Sequence, residues 1–277
     1  VQNSEWLVAA DAGERRHGTH SAVVVHLASA IEPDWLIDLF PERVEEQEEV
    51  LLDEARGRVS VLSRLRFGQL ALAESERSAR GHGGAARLLA EHTLKRGLGA
   101  ICDPKKLDEL RERVRLAAQL DPAAGLTPID DAELRATVEQ LALECATLDE
   151  LRRQDLLAAL IARRGPRARA RLDALCPLHI ELPGRKRTPV HYPEGAPPFV
   201  ASFIQDFFGL GATPAIAGGR LALQVQLLAP SRRPVQVTQD LPGFWSRHYA
   251  TVRQELCRRY PRHRWPEDPL ATTNPHR

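Results

Sequence analysis

The sequence predicts an α+β chain: a small OB-like β barrel over residues 1–81, a helical block over 82–176 and a mixed α/β C-terminal domain over 177–277. Three observations predict it. Apolar and polar residues alternate with period 2 through much of the first 80 residues. Apolar residues then recur at every third or fourth position from Ala85 to Cys176. Beyond residue 177, proline becomes frequent and aromatic residues gather.

Taking the elements in order, Trp6-Leu7-Val8-Ala9-Ala10 is a short apolar run, and Gly13-Glu14-Arg15-Arg16-His17-Gly18 reads as a turn. Ser21 to Ile31 is a β-branched strand. Pro33-Asp34 opens a short helix carrying Trp35, Leu36, Leu39 and Phe40, with proline at a tolerated first-turn position. A strand at Val50-Leu51-Leu52-Asp53 leads to a turn at Ala55-Arg56-Gly57-Arg58. Two alternating strands follow, Val59–Phe67 and Gln69–Glu76. Five strands and one inserted helix in about 75 residues fit an OB-like barrel. Any five-stranded antiparallel domain fits the pattern equally.

Gly81-His82-Gly83 breaks the alternation. One helix carries Ala86, Leu88, Leu89, Leu94 and Leu98 and ends at Gly97 or Gly99. A second, behind Pro104, carries Leu107, Leu110, Val114 and Ala117. Asp130-Asp131 caps a third with Leu134, Val138 and Leu141. Leu148–Arg163 is a fourth, and Arg171–Cys176 extends a fifth. The run Arg163 to Arg171 has five arginines in nine residues, which either touch phosphates or form a solvated helix end favoured by the helix dipole. In the last segment, His179–Leu182 and Val190-His191-Tyr192 read as strands around a basic loop, Arg185-Lys186-Arg187. Phe199–Phe208 reads as a helix, Leu221–Leu228 and Val235–Thr238 as strands, and Trp245–Tyr260 as a final helix.

The chain has 277 residues, of which 43% are hydrophobic and 27% charged, an ordinary globular composition. No apolar run approaches the roughly 20 residues of a membrane span, so no membrane partner is expected. The N-terminus lacks the basic-then-apolar order of a signal peptide. The sequence contains no Met and begins with Val, so it is expected to be a piece of a longer product whose chemistry lies elsewhere. Cys102, Cys145, Cys176 and Cys257 have no C-x-x-C pairing; they are expected to be reduced thiols of a cytoplasmic protein, without structural zinc. Charge is uneven. Residues 1–80 hold 9 Lys+Arg against 15 Asp+Glu, a net of −6, whereas residues 177–277 hold 13 against 7, a net of +6. A polyanion contact is therefore expected in the last third. Arg outnumbers Lys 34 to 4. Arginine suits bidentate phosphate recognition, but a GC-rich genome produces the same bias, and here it runs through acidic segments too.

No nucleotide or hydrolytic motif is present. G-x-x-x-x-G-K-[ST] needs a Gly-Lys pair and the chain has none; G-x-G-x-x-G before a helix, G-x-S-x-G and H-E-x-x-H are missing as well. The acidic run Glu45–Glu49 reads as solvated surface. His179 and His191 flank a strand-turn-strand, but no third group at fixed spacing joins them. Asp206, Gln239 and Asp240 have no fixed partner for acid–base work. No catalytic residue, cofactor ligand or metal ligand is expected.

The stretch Leu227-Leu228-Ala229-Pro230-Ser231-Arg232-Arg233-Pro234-Val235-Gln236-Val237-Thr238-Gln239-Asp240-Leu241-Pro242-Gly243-Phe244-Trp245 resembles the C-terminal signature of the HrpB family of bacterial DEAH-box ATP-dependent RNA helicases. Tyr249, Val252-Arg253, Glu255-Leu256, Arg259-Tyr260-Pro261, His263 and Trp265-Pro266-Glu267-Asp268-Pro269 continue it. Upstream, Gln205-Asp206-Phe207-Phe208-Gly209-Leu210, Thr213-Pro214 and Gly218-Gly219-Arg220 fit in order. The resemblance runs through 177–270; over 1–176 it rests on the order of barrel then helices. Ala229 stands where the family often has Ser, and Asp206 where Glu is common. The resemblance implies a parent with two RecA-like domains, a winged helix and a helical bundle ahead of residue 1. ATP and Mg²⁺ would act in that helicase core, which becomes a partner of the present segment. It also implies that the OB-like domain helps line the exit of a single-strand channel.

Single-stranded RNA is thus the expected polyanion. A groove for it needs cations along the backbone and flat side chains for stacking. Arg64 and Arg66 share one face of a strand, with Phe67 on the other. Arg232-Arg233 and the cluster Arg258, Arg259, Tyr260, Arg262, His263, Arg264 and Trp265 mix cations with aromatics. The alternative is that Tyr260 and Trp265 pin the tail while the arginines are solvated or paired with Glu267 and Asp268. Three functions follow: an RNA-contacting accessory region, a purely structural or protein-interaction module, and an independent enzyme, for which the residues offer little.

Overall fold

The computed structural model describes residues 5–17 and 20–271. The chain forms two compact units, Val1–His92 with Ala142–Glu150, and Thr93–Leu141 with Leu151–Arg277. The division cuts through the helical block, because the segment after its third long helix returns to the first unit.

In the first unit, β1 (Leu7–His17) and β2 (His20–Ala30) form an antiparallel ribbon with Leu7 opposite Ala30 and an irregularity at Asp11. The turn expected from Gly13 is instead ladder as far as His17; its Gly18 lies outside the described residues. α1 (Pro33–Leu39) starts at its proline and buries only Leu36. β3 (Val44–Asp53), β4 (Arg58–Phe67) and β5 (Leu70–Ser78) form an antiparallel sheet in that order. Val59, Val61 and Ser63 are buried on one face of β4, as the period-2 pattern requires. The acidic run lies in β3 and is exposed. Its glutamates face arginines across the sheet: Arg77 approaches Glu46 at 3.0 Å and Glu48 at 3.5 Å.

The five expected strands therefore sit in two sheets, of two and three strands, and among the described residues they do not close into a barrel. Charge accounts for this. Both edges of the three-stranded sheet, β3 with its glutamates and β5 with Glu74, Glu76 and Arg77, carry charged side chains, which discourage further strand addition. The Ala142–Glu150 segment completes the unit. Val59 N–H donates to the Ala146 carbonyl at 2.9 Å, and Leu148 N–H donates to that of Gly57 at 2.8 Å.

The helices are α2 (Gly83–Arg96), α3 (Pro104–Leu120), α4 (Asp131–Ala142), α5 (Leu148–Arg152), α6 (Leu156–Arg163) and α7 (Gly165–Leu175). Side-chain caps set several starts. Asp103 accepts from Lys105 N–H at 3.0 Å and Asp130 from Glu133 N–H at 2.7 Å. The single helix expected over Leu148–Arg163 is two, because Asp155 accepts from Ala158 N–H at 2.9 Å and starts α6 afresh. In the second unit, α3 buries Leu107, Leu110, Val114 and Ala117, and with them Arg113.

The same unit holds a five-stranded sheet. Its members are β6 (His179–Leu182), β7 (Arg185–His191), β8 (Phe199–Phe203), β11 (Gln224–Leu228) and β12 (Pro234–Thr238); β9 (Ala215–Ile216) and β10 (Leu221–Ala222) make a small separate ladder. The order is β12-β11-β8-β7-β6, with β8 and β11 parallel. Two expectations fail here. Arg185-Lys186-Arg187 is strand, not loop, and Phe199–Phe208 is a strand followed by a 3₁₀ turn (Ile204–Phe207), not a helix. Val200 and Ser202 are buried between less buried neighbours, a period of 2 that the eye reads as helical when Ile204 and Phe207 are added. The expected final helix is α8 (Leu241–Arg247) and α9 (Tyr249–Arg259), divided at His248. Trp245 lies 6.0 Å from Phe208 and 5.3 Å from Tyr249 between ring centroids, and Phe244 joins this aromatic core.

Candidate nucleic-acid interface

The sequence singled out two sets of cations, and the structure treats them differently. Arg64 on β4 donates through Nε to Glu74 at 2.8 Å and through Nη1 to Glu49 at 2.8 Å. These two carboxylates hold its guanidinium pKa above the ordinary value, Glu74 first. Arg66 reaches Gln47 at 3.2 Å and the Gln69 carbonyl at 3.3 Å. Phe67 contacts Phe40 at 6.0 Å between centroids and lies under Arg43. The β4 arginines thus hold their own sheet together.

The tail cations differ. Arg232, Arg233, Arg258, Arg259, Arg262 and Arg264 are all exposed. Among the described residues none of them has a carboxylate within ion-pair distance; Glu267 pairs with Arg253 at 3.4 Å instead. Arg232 and Arg233 sit in the β11–β12 hairpin, where Arg232 N–H donates to the Ala229 carbonyl at 2.8 Å. Arg232 has φ 64°, a left-handed conformation that costs a non-glycine residue about 1–2 kcal/mol. The hydroxyl of Tyr260 bonds Ser231 Oγ at 2.8 Å, so the hairpin and the segment after α9 are tied together across 29 residues of chain. Arg259 stacks over the Tyr260 ring at 5.9 Å.

Trp265 is buried. Its Nε1 donates to the Tyr260 carbonyl at 3.0 Å, and its own carbonyl accepts from Arg253 Nε at 3.0 Å. Tyr249 Oη donates to the Pro266 carbonyl at 2.8 Å. The tail is therefore pinned by its aromatics, and Trp265 has no exposed face for a base. What it holds in place is a groove of about 470 Å³ lined by Phe203, Gln205, Asp206, Pro230, Arg262, His263 and Arg264. His263 lies 6.2 Å from the Tyr260 ring and 6.1 Å from that of Trp265. Asp206 is buried and accepts from the Ser202 hydroxyl, so its carboxylate is already committed. Phe203 is half-buried and offers a flat, apolar wall.

Phe203, Gln205, Pro230 and Ser231 were not among the RNA-contact candidates read from sequence. Pro230 and Ser231 lie next to Arg232, but Phe203 comes from a strand mistaken for helix. The other sequence candidates have structural work. Asp240 accepts from Gly243 N–H at 2.9 Å and pairs with Arg247 at 2.7 Å, capping α8. In the Arg163–Arg171 run, Arg163 bonds Gln140 at 2.6 Å, Arg164 bonds Glu133 at 2.6 Å, and Arg171 bonds Asp121. His179 and His191 both line a separate cavity of about 560 Å³.

Comparison with known proteins follows the same lines. Residues 138–269 match the family described as the ATP-dependent helicase C-terminal region. Over 276 residues, 98% of the chain, it is 31% identical to the ATP-dependent RNA helicase HrpB of Escherichia coli (strain K12), of which it covers 34%. Among solved structures, the E. coli DExH-box NTPase HrpB matches with TM-score 0.65 and 30% identity, over 98% of this chain and 34% of that one. A second crystal structure, of the E. coli DEAH/RHA helicase HrpB, matches with TM-score 0.57 and 28% identity, over 96% and 33%. The chain thus spans about a third of the length of the relatives it matches.

Proposed function

We propose that the chain serves as the accessory C-terminal region of an ATP-dependent RNA helicase, where it contacts single-stranded RNA and braces the RecA-like core; the match of residues 138–269 to the ATP-dependent helicase C-terminal family supports this reading. Nucleotide and Mg²⁺ chemistry belong to that core, since this chain carries no phosphate-binding loop.

The observation that carries the RNA contact is the set of six unpaired, exposed arginines gathered at one hairpin and one tail, beside the groove that holds Phe203. Exposed cations with no carboxylate partner give up only hydration when they meet phosphate, and they release counterions from the RNA. Each phosphate neutralised on a single strand contributes about 0.7 to the salt slope of log K. A base stacked on a flat side chain adds roughly 1–3 kcal/mol.

Fluorescence anisotropy of a labelled single-stranded RNA at two salt concentrations tests this. The double variant Arg262→Ala/Arg264→Ala should bind more weakly and lower the salt slope by about 1.4. Arg64→Ala should leave affinity and slope unchanged, because that guanidinium is already held by Glu49 and Glu74. An unaltered slope in the tail variant sinks the RNA assignment.

A second observation favours the bracing role. On β2, Val23, Val25 and Leu27 of a two-stranded ribbon are 74%, 50% and 61% exposed. An isolated ribbon of this kind is marginal in water and gains by being covered. If the chain bound no RNA at any salt, this bracing reading would stand alone.

A further inference from the structure

The second unit contains a cavity that the RNA groove does not use. It has a volume of about 560 Å³, within the range of small-ligand sites. α3 supplies Lys106, Glu109, Leu110 and Arg113, α6 supplies Leu157 and Ile161, and the β6–β7 region supplies the rest. Arg113 is buried, at 2% exposure, yet it lines this space. Its guanidinium is fixed by the Cys176 carbonyl at 2.6 Å from Nε and by Asp173. Burying an arginine is costly and needs such partners; its position beside an open cavity is what marks the place as more than packing.

The polar groups of the cavity are of mixed kind. His191 Nδ1 lies 3.3 Å from the Glu109 carboxylate. The ring of His191 is stacked on Phe199 at 4.8 Å between centroids and 23° between planes. Phe199 is not part of the lining, and its stacking covers one face of the imidazole and leaves the other uncovered by it. Burial and the nearby Arg187 lower the pKa of His179, which favours the neutral ring, able to donate and to accept. Lys106 is exposed on the turn of α3 before Glu109. The remaining wall is aliphatic: Leu110, Leu157, Ile161, Leu178 and Val190.

An aliphatic anion matches this poorly, because Glu109 and both imidazoles would face hydrocarbon. A flat heterocycle with an amino group matches it well. It can lie between imidazole and aliphatic carbons, give its amino hydrogens to Glu109 and place an attached phosphate near Lys106. We infer that this cavity binds one nucleotide unit, an amino-bearing base with its phosphate, drawn either from a single-stranded RNA chain or from the free nucleotide pool. As an RNA subsite it rests on the RNA reading above and adds base recognition at a place separate from the groove beside the tail arginines.

The probes are 2-aminopurine ribonucleoside 5′-monophosphate, free in solution, and a ten-nucleotide RNA carrying a single 2-aminopurine; stacking quenches the fluorescence of this base. With the whole 277-residue chain both should be quenched saturably. Leu157→Trp and, at the more exposed wall, Leu178→Trp fill the cavity and should each weaken the free probe at least tenfold. Lys106→Glu should weaken the monophosphate at least fivefold and the 2-aminopurine ribonucleoside hardly at all. Quenching of the RNA probe alone makes the chain the source, and quenching of the free probe as well makes the monomer sufficient; either supports the site. If neither probe is quenched, or if both tryptophan variants quench like the parent, the inference is overturned. The two readings fail separately. Arg262→Ala/Arg264→Ala should lower RNA anisotropy yet leave quenching of the free probe intact, whereas the tryptophan variants should abolish quenching and keep the tail's salt slope.

Discussion

Two glycines show how single residues hold the site. A Cβ on Gly184, in the turn between β6 and β7, would lie 2.6 Å from the Cα of Asp206, so backbone would have to move beside the groove. A Cβ on Gly243 would overlap the carboxylate of Asp240, a side chain that can swing away but only by giving up the α8 cap. Gly184→Ala should therefore cost about 2–3 kcal/mol, as overpacking against backbone does. Gly243→Ala should cost about 1 kcal/mol, the worth of a helix cap. Urea unfolding of both variants checks the order, and a larger loss at Gly243 would contradict it.

Acid sensitivity also lives at this scale. The Gly243 N–H and then Arg247 hold the Asp240 carboxyl below its ordinary range, Arg171 does the same for Asp121, and the Ala146 N–H does so for Glu150. A carboxyl whose pKa is lowered by folding contributes stability that is present above its unfolded value and lost as pH falls through the folded one. The urea midpoint should hold steady down to about pH 4 and fall below it. Asp240→Asn/Asp121→Asn should show a shallower acid limb, and an unchanged limb would mean these groups carry none of it.

Among the elements, the β11–β12 hairpin is the most telling. Glycine suits a left-handed turn position, yet Arg232 occupies it at φ 64°. Arg232→Gly should raise stability by about 1 kcal/mol, since the strain disappears. The same change removes one tail cation and should lower RNA affinity, so urea unfolding and anisotropy should move in opposite directions. If both improve, the cation is idle. Element types were mostly legible in sequence because periodicity is local: the alternation of β4 and the cap at Asp130 are each visible within a few residues. Where two local signals overlapped, as at Phe199–Phe208 or Leu148–Arg163, reading them as one element gave the wrong shape. Arg113 left a trace, a lone charge three residues after Leu110 in the apolar stripe of α3.

For the molecule as a whole, the excess of base in residues 177–277 coincides with the arginines that are exposed and, among the described residues, without a carboxylate at ion-pair distance. No phosphate loop exists in the chain, so purified material should release no phosphate from ATP above buffer, with or without RNA. A colorimetric phosphate assay settles this, and RNA-stimulated release would overturn the assignment of hydrolysis to the core. By itself the sequence determined most of the kinds of element, the charge asymmetry, the lack of a nucleotide motif and the likeness to helicase C-terminal regions, since each is written in neighbouring residues. Only the tertiary structure decided that the five strands form two sheets, that Arg64 is spent on Glu49 and Glu74, and that the hairpin meets the tail through Ser231 and Tyr260. Whether a cation is available to a ligand depends on which carboxylates folding brings within about 4 Å of it, and those partners lie 10 to 15 residues from Arg64 along the chain, beyond the reach of any local pattern.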